Sequence, residues 1–221
     1  AHELGHVLYT DFLGDQTHLN LLAQYKWFPR SPLLKTNTDI RNEAAFWDYV
    51  KDSPENLEAV QYVASEIGNV IEDGYIENRM LLNFPGTLGY GLESLREVHY
   101  EMIPTVTQLI EKEDSGQGHI FGSILQNILS YVKYGEIKYG DEPISDERIK
   151  TVFDLILDLD AALMSNSAKE RMNMTNYILV HCWEYIESYV ELCKKQHQEA
   201  QSAGATSSIS EVIAGMLGSM A

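Results

Sequence analysis

The sequence has few basic residues and lacks any long apolar run. Its 221 residues include 16 Lys and Arg against 33 Asp and Glu, which gives a formal net charge of −17. Such an acidic chain should repel nucleic acid and anionic membranes, so neither is expected as a partner. No apolar run approaches the roughly 18 residues of a membrane span. Hydrophobic residues still make up 44% of the chain, which indicates a folded protein with an ample core.

Cysteine is also scarce, and its spacing excludes a disulfide framework. Cys182 and Cys193 are expected on one helix, where their separation along the chain corresponds to roughly 16 Å, far beyond disulfide reach. Two reduced core thiols are typical of a cytoplasmic protein.

The alternation of apolar and polar residues that predicts a strand is absent too, so an all-α fold is expected. Start and stop signals predict helices over 1–12, 17–27, 36–51, 54–82, 87–113, 119–134, 145–164 and 168–201, with a linker at 202–207 and a short helix from 208. Gly14 is expected to end the first helix, and Pro104 to kink a later one. Three regions are expected: a metal-site half at 1–86, a helical domain packed on it at 87–201, and a linker with a short C-terminal helix at 202–221.

What the chain does contain is the motif His-Glu-Leu-Gly-His at residues 2–6. Residues four apart lie on one face of a helix, so His2 and His6 can face one metal ion. Glu3 could accept a proton from a water that the metal activates. This HExxH pattern is typical of zinc metallopeptidases, which take a third protein ligand from elsewhere and keep one position for water. The alternative is two helix histidines beside an incidental glutamate.

The residues around the motif predict whether its helix can be buried. Gly5 and the apolar Leu4, Val7 and Leu8 indicate a helix that can be buried, as a structural zinc site requires.

A second helix offers acids for the third ligand. At 100° per residue, a polar stripe about 80° wide forms on it. Its members are Tyr62, Glu66, Asn69, Asp73 and Glu77. A charged stripe on a lone helix usually faces solvent, and that alternative stays open. Against it, no basic residue follows at i+4 to offset the like charges, and HExxH still needs an acidic partner.

The third ligand is either Asp73 or Glu72. Asp73 lies at the centre of the stripe, and Glu77, one turn on, could orient an imidazole from behind, as could Asn69. Glu72 is displaced by about 100° but has the longer reach and is the more usual ligand type. The stripe position favours Asp73.

These residues resemble two related groups of proteins. HExxH followed by an acidic helix is similar to gluzincin-type zincins such as the thermolysin group, although the Asn-Glu-x-x-x-Asp of that group is replaced here by Glu72 to Glu77 with the acid types exchanged. The motif helix together with Asn69, Glu72, Asp73 and Glu77 more closely resembles the metallopeptidase domains found beside von Willebrand A domains in bacteria, which are related to the cobaltochelatase T subunit. The resemblance covers residues 1 to about 80.

The resemblance implies a zincin-like domain with zinc as cofactor, a peptide or protein substrate, and Glu3 as general base. In zincins a strand that lines the cleft precedes the motif helix, so the chain is expected to lack that N-terminal strand portion. A von Willebrand A-type partner or domain is also implied. On a later helix, His99 and Tyr100 are candidates for the donor that stabilises an oxyanion.

Two alternatives to this enzyme remain. One is a non-catalytic scaffold derived from a zincin, whose helices bind a partner in a von Willebrand A or chelatase-like system. The other is a toxin–antitoxin or phage regulatory protease, which the sequence does not separate from the first interpretation. An intact Glu3 favours an enzyme over a scaffold, because a purely structural site has no need of that carboxylate.

Overall fold

In the computed structural model, the described part of the chain comprises residues 1–27, 29–204 and 206–220, with side chains described up to residue 218. The all-α prediction is confirmed, because these residues form eleven helices and no strand. The helices are α1 His2–Tyr9, α2 Phe12–Ala23, α3 Asn37–Asp52, α4 Pro54–Asn83, α5 Thr87–Met102, α6 Val106–Asp114, α7 Ile120–Tyr134, α8 Glu147–Met164, α9 Ala168–His181, α10 Trp183–Ser202 and α11 Ile209–Met220. Within the described residues, each helix is either too short or too polar to cross a bilayer.

The central element is α4, a helix of 30 residues. It begins where the sequence predicts, because the Ser53 side chain accepts a hydrogen bond from the Asn56 backbone N–H at 3.1 Å and Pro54 occupies the first helical turn. Along its length, Val60, Ile67 and other apolar residues are fully buried. Helices α1, α3, α7 and α9 all pack against it. This arrangement makes α4 the frame on which the other helices are positioned.

One hydrophobic core connects all three regions expected from the sequence. Its members extend from Leu22 to Ile213 and include Phe46, Phe121 and Trp183. Residues before and after position 87 therefore pack into the same core.

Two expected helices are interrupted. The helix predicted at 87–113 is broken into α5 and α6, because Pro104 ends the first and Thr105 starts the second with a capping box to Gln108. The helix predicted at 168–201 is broken at Cys182, which lies between α9 and α10 and does not continue the helical dihedral angles. Both cysteines are buried and free, as expected.

The prediction that Gly14 ends the first helix is wrong. Helix α1 ends at Tyr9, and Gly14 lies in the first turn of α2. The reason is a capping interaction, since the Asp11 side chain accepts a hydrogen bond from the Gly14 backbone N–H at 3.0 Å. The linker expected at 202–207 contains residue 205, which lies outside the described residues.

The prediction that α1 is a buried helix holds for Gly5 and is wrong for its apolar side chains. Leu4, Val7 and Leu8 are 40%, 74% and 48% exposed, and Gly5 is the buried residue of this helix. Helix α1 therefore contacts α4 through its glycine, and its apolar side chains face outward.

Candidate metal centre and adjoining cleft

The glycine of the His-Glu-Leu-Gly-His motif sets the position of both histidines. A Cβ atom placed on Gly5 would lie 3.1 Å from Cγ of Met80 and 3.3 Å from Cβ of Ile76. Only glycine allows α1 to approach α4 this closely without displacing those side chains. Because His2 and His6 flank Gly5 on the helix, the close approach brings both imidazoles to α4.

The two imidazoles face the same carboxylate oxygen. Nε2 of His6 is 3.3 Å, and Nε2 of His2 is 3.6 Å, from Oδ1 of Asp73. The other ring nitrogens have separate partners: Nδ1 of His2 is 3.2 Å from Oε1 of Glu77, and Nδ1 of His6 is 3.0 Å from Oγ1 of Thr10. An imidazole whose Nδ1 is held by an oxygen presents its Nε2 in a fixed direction.

The donor set fits a zinc ion. His2, His6 and Asp73 each offer one ligand atom, and these atoms lie within 4.8 Å of one another. Zinc bonds near 2.0–2.1 Å in a tetrahedral site imply a separation of about 3.3 Å between ligand atoms. The observed separations of 3.3 and 3.6 Å match this value. Two imidazoles and one carboxylate also match the composition of catalytic zinc sites, which leave a position for water.

Two basic side chains from later helices contact the carboxylates of the site. Nζ of Lys133 on α7 is 3.1 Å from Oε1 of Glu77 and 3.5 Å from Oδ2 of Asp73. An N–H group of Arg96 on α5 lies 3.5 Å from the other oxygen of Glu77. The buried carboxylate of Glu77 therefore contacts His2, Lys133 and Arg96.

Glu72, the alternative third ligand, is engaged elsewhere. Its carboxylate forms a buried ion pair with Arg171 of α9, which donates from Nε and, at 3.3 Å, from a terminal nitrogen. The guanidinium also stacks over the Tyr75 ring at 3.7 Å. The structure thus brings Asp73, and not Glu72, to the two histidines.

A cleft of about 460 Å³ opens beside His6. Glu3 lines it and makes no ion pair or hydrogen bond with the other described residues, so its carboxylate is free to act on a bound molecule. Asn69 also lines this cleft and is exposed there, so it faces the space rather than supporting an imidazole from behind. The exposed side chains of Val7 and Phe12 add an apolar part to the cleft wall.

The cleft lining also contains an acidic group, Asp15, whose pKa is raised. Burial, together with the negative charge of Glu72, raises the pKa of Asp15 to about 6. Nearby, burial lowers the pKa of His18, whose Nε2 lies 2.7 Å from Oδ1 of Asn176. This part of the cleft therefore contains a histidine that favours its neutral form and a carboxyl that titrates near neutrality.

The structure does not place His99 and Tyr100 at the cleft. Nδ1 of His99 is 2.6 Å from the Tyr134 hydroxyl, and burial followed by the charge of Lys133 lowers its pKa. A hydrogen bond to Glu136 raises the pKa of Tyr100 to about 12. Among the contacts of the described residues, neither side chain reaches His2, His6 or Asp73, and neither lines the cleft beside Glu3.

Several contributors to the site had no usable sequence signal. Lys133, Arg96 and Arg171 come from helices far along the chain, and only the tertiary fold reveals their partners. Thr10 could have been found, because it follows His6 by four positions and so lies on the same side of α1.

Comparison of this chain with protein-family models, with curated proteins and with solved structures gives no match. A functional proposal must therefore be based on the residues of the site.

Proposed function

We propose that this chain is a zinc-dependent metallopeptidase. The observation that supports this best is the paired orientation of His2 and His6, whose Nε2 atoms face Oδ1 of Asp73 while both Nδ1 atoms are held by oxygen atoms. The shared carboxylate and the open cleft beside it are the arrangement that a catalytic zinc site requires. The zincin resemblance of the motif agrees with this chemistry.

In the proposed reaction, His2, His6 and Asp73 hold the zinc ion, and zinc, when bound, supplies Lewis-acid activation of a water molecule and of the substrate carbonyl. Glu3 accepts the proton of the attacking water and then returns it to the nitrogen of the leaving amine. Glu77 and Thr10 keep the two imidazoles in the orientation that presents Nε2.

The substrate is a peptide or protein that enters the cleft beside Glu3. The cleft combines apolar side chains such as Val7 and Phe12 with polar groups such as Asn69, a mixture suited to a polypeptide. No helix of the described residues is suited to cross a membrane, and both cysteines are free thiols. A cytoplasmic bacterial protein with a von Willebrand A-type partner is part of this proposal.

The test measures zinc content and peptide cleavage in matched variants. Wild-type protein should bind about one zinc ion per chain, and a His2→Ala/His6→Ala double variant should bind none. Glu3→Gln keeps the size of the side chain but removes the base, so it should retain zinc and lose at least ~10²-fold of the activity on a peptide library. Glu58→Gln on α4 is a charge-matched control and should behave as wild type. Equal cleavage by wild type and Glu3→Gln would refute the assigned role of Glu3.

A second candidate function is a non-catalytic scaffold that derives from a zincin. It is favoured by the two cations at Glu77, because Lys133 and Arg96 offset the acidic charges without any metal. In that case the two imidazoles would contact Asp73 at the same distances with no metal ion between them. Wild-type protein without zinc and without peptidase activity would favour the scaffold.

A further inference from the structure

Lys133, in the last turn of α7, is a cation that contacts both carboxylates of the candidate metal centre. Its side chain is 11% exposed, and its ammonium group contacts Glu77 and Asp73 at 3.1 and 3.5 Å. Lysine is rarely buried unless it is paired. The two carboxylates provide that pairing, so this position of Lys133 depends on the acids of the site.

A close contact between α4 and α7 fixes this position. A Cβ atom placed on Gly74 would lie 2.8 Å from both Cβ and the carbonyl oxygen of Val132. Gly74 follows Asp73 in the chain, and Val132 precedes Lys133. The absence of a side chain at Gly74 thus lets the α7 backbone approach until Lys133 reaches the acids.

The charges of this cluster balance without a metal ion. Asp73 and Glu77 carry two negative formal charges, and Lys133 and Arg96 carry two positive ones. Binding of a divalent cation would therefore add excess positive charge to a group that is already balanced.

We propose that Lys133 is a resident counter-ion of this site, which stabilises the acidic pair in the metal-free protein and lowers the affinity for zinc. Lys133 contacts Oδ2 of Asp73, whereas His2 and His6 face Oδ1. The ammonium group and a zinc ion would thus share one carboxylate and repel each other. This inference rests on the zinc site of the proposed function and not on peptidase activity.

The opposite role for Lys133 would be to orient Asp73 as a ligand. Loss of an orienting partner typically weakens metal binding by about 10–100-fold. Loss of a counter-ion should instead strengthen it. Asp73 lies in the middle of the long helix α4, so its backbone is already held, and the electrostatic effect should dominate. The sign of the change in affinity therefore separates the two roles.

The experiment compares Lys133→Met with Lys133→Arg in the full chain. Lys150→Met serves as the matched control, because Lys150 is exposed, pairs with Asp154, and its substitution removes the same charge away from the site. Zinc affinity is measured by competition with a chromophoric chelator, and Tm is measured with and without zinc. Lys133→Met should bind zinc about tenfold more tightly or better, with a lower metal-free Tm and a larger rise in Tm on zinc addition. Lys133→Arg and Lys150→Met should resemble wild type.

If metal-free Lys133→Met does not fold, Lys133→Gln replaces it, since the amide keeps a hydrogen-bond donor and removes only the charge. The same gain in affinity is expected. Weaker or unchanged zinc binding in these variants, while wild type binds zinc, would overturn the counter-ion role alone. Wild-type protein that takes up no zinc would overturn the zinc site and, with it, this inference.

Discussion

Substitutions at the adjacent acids Glu72 and Asp73 should affect different properties of the protein. One should lower the affinity for zinc, and the other should lower the free energy of unfolding. Asp73→Asn removes the carboxylate that faces both imidazoles. Glu72→Gln removes the acid that pairs with buried Arg171 and leaves the metal-facing atoms in place. One change should therefore act on zinc binding and the other on folding.

The sizes of both effects follow from the contacts. Zinc sites contribute roughly 10–16 kcal/mol in total, so one of three protein ligands should account for several kcal/mol, or about 10²–10³-fold in affinity. Removing one partner of a buried ion pair costs about 3–5 kcal/mol in the free energy of unfolding. Arg171 keeps its contact with the Tyr75 ring, so the lower end of that range is expected for Glu72→Gln.

Zinc affinity is measured by chelator competition, and the free energy of unfolding by guanidinium titration of the metal-free protein. Asp73→Asn should lose zinc affinity with a small change in stability, and Glu72→Gln should show the reverse. A Glu72→Gln/Arg171→Met double variant should recover part of the lost stability, because no uncompensated charge remains buried. If Glu72→Gln abolishes zinc binding while Asp73→Asn retains it, Glu72 is the ligand and the geometry described above is not that of the functional site.

Two further predictions concern the close contact between α4 and α7 and the dependence of stability on pH. Gly74→Ala should lower the free energy of unfolding by about 1–3 kcal/mol, because the added methyl group would lie 2.8 Å from Val132. Gly91 on α5 has open space around it, so Gly91→Ala should raise the free energy of unfolding by about 0.5–1 kcal/mol. Guanidinium titration of both variants measures the difference. Asp15 has a folded-state pKa raised from 3.8 to about 6, so its contribution to stability is present below pH 4 and is lost as the pH rises through 6. Asp15→Asn should therefore stabilise the protein at pH 7.5 by about 1 kcal/mol, after allowance for solvent screening of a half-buried group, and have little effect at pH 4 in thermal unfolding. An equal effect at both pH values would contradict the assigned cause.

The sequence was sufficient for those parts of the fold and site that depend on local periodicity. The spacing of His2 and His6 predicts a shared face, and the Ser53–Pro54 signal predicts the start of α4. The stripe position favours Asp73 over Glu72 without excluding Glu72. Each of these depends on residues within a few turns of one helix, where geometry follows from the chain itself.

The parts that could not be predicted depend on contacts between distant helices. Glu72 pairs with Arg171 across 99 positions of the chain, and Lys133 reaches Asp73 from another helix. The position of Gly14 in the first turn of α2 depends on one capping side chain, that of Asp11. This capping interaction competes with the tendency of glycine to end a helix. Whether the assembled site holds zinc stays a prediction.

The burial of a single residue in α1 has a consequence for how the protein would respond to chelators. Its only buried residue is Gly5, whereas the acids that face its histidines lie on the long central helix α4. A bound ion would therefore crosslink a helix with one buried residue to the central helix, which has many. Removing that ion would release α1 by local opening, while the core around α4 stays folded. In the proposed metallopeptidase, His2, Glu3 and His6 would then leave the site reversibly and far below the temperature of global unfolding.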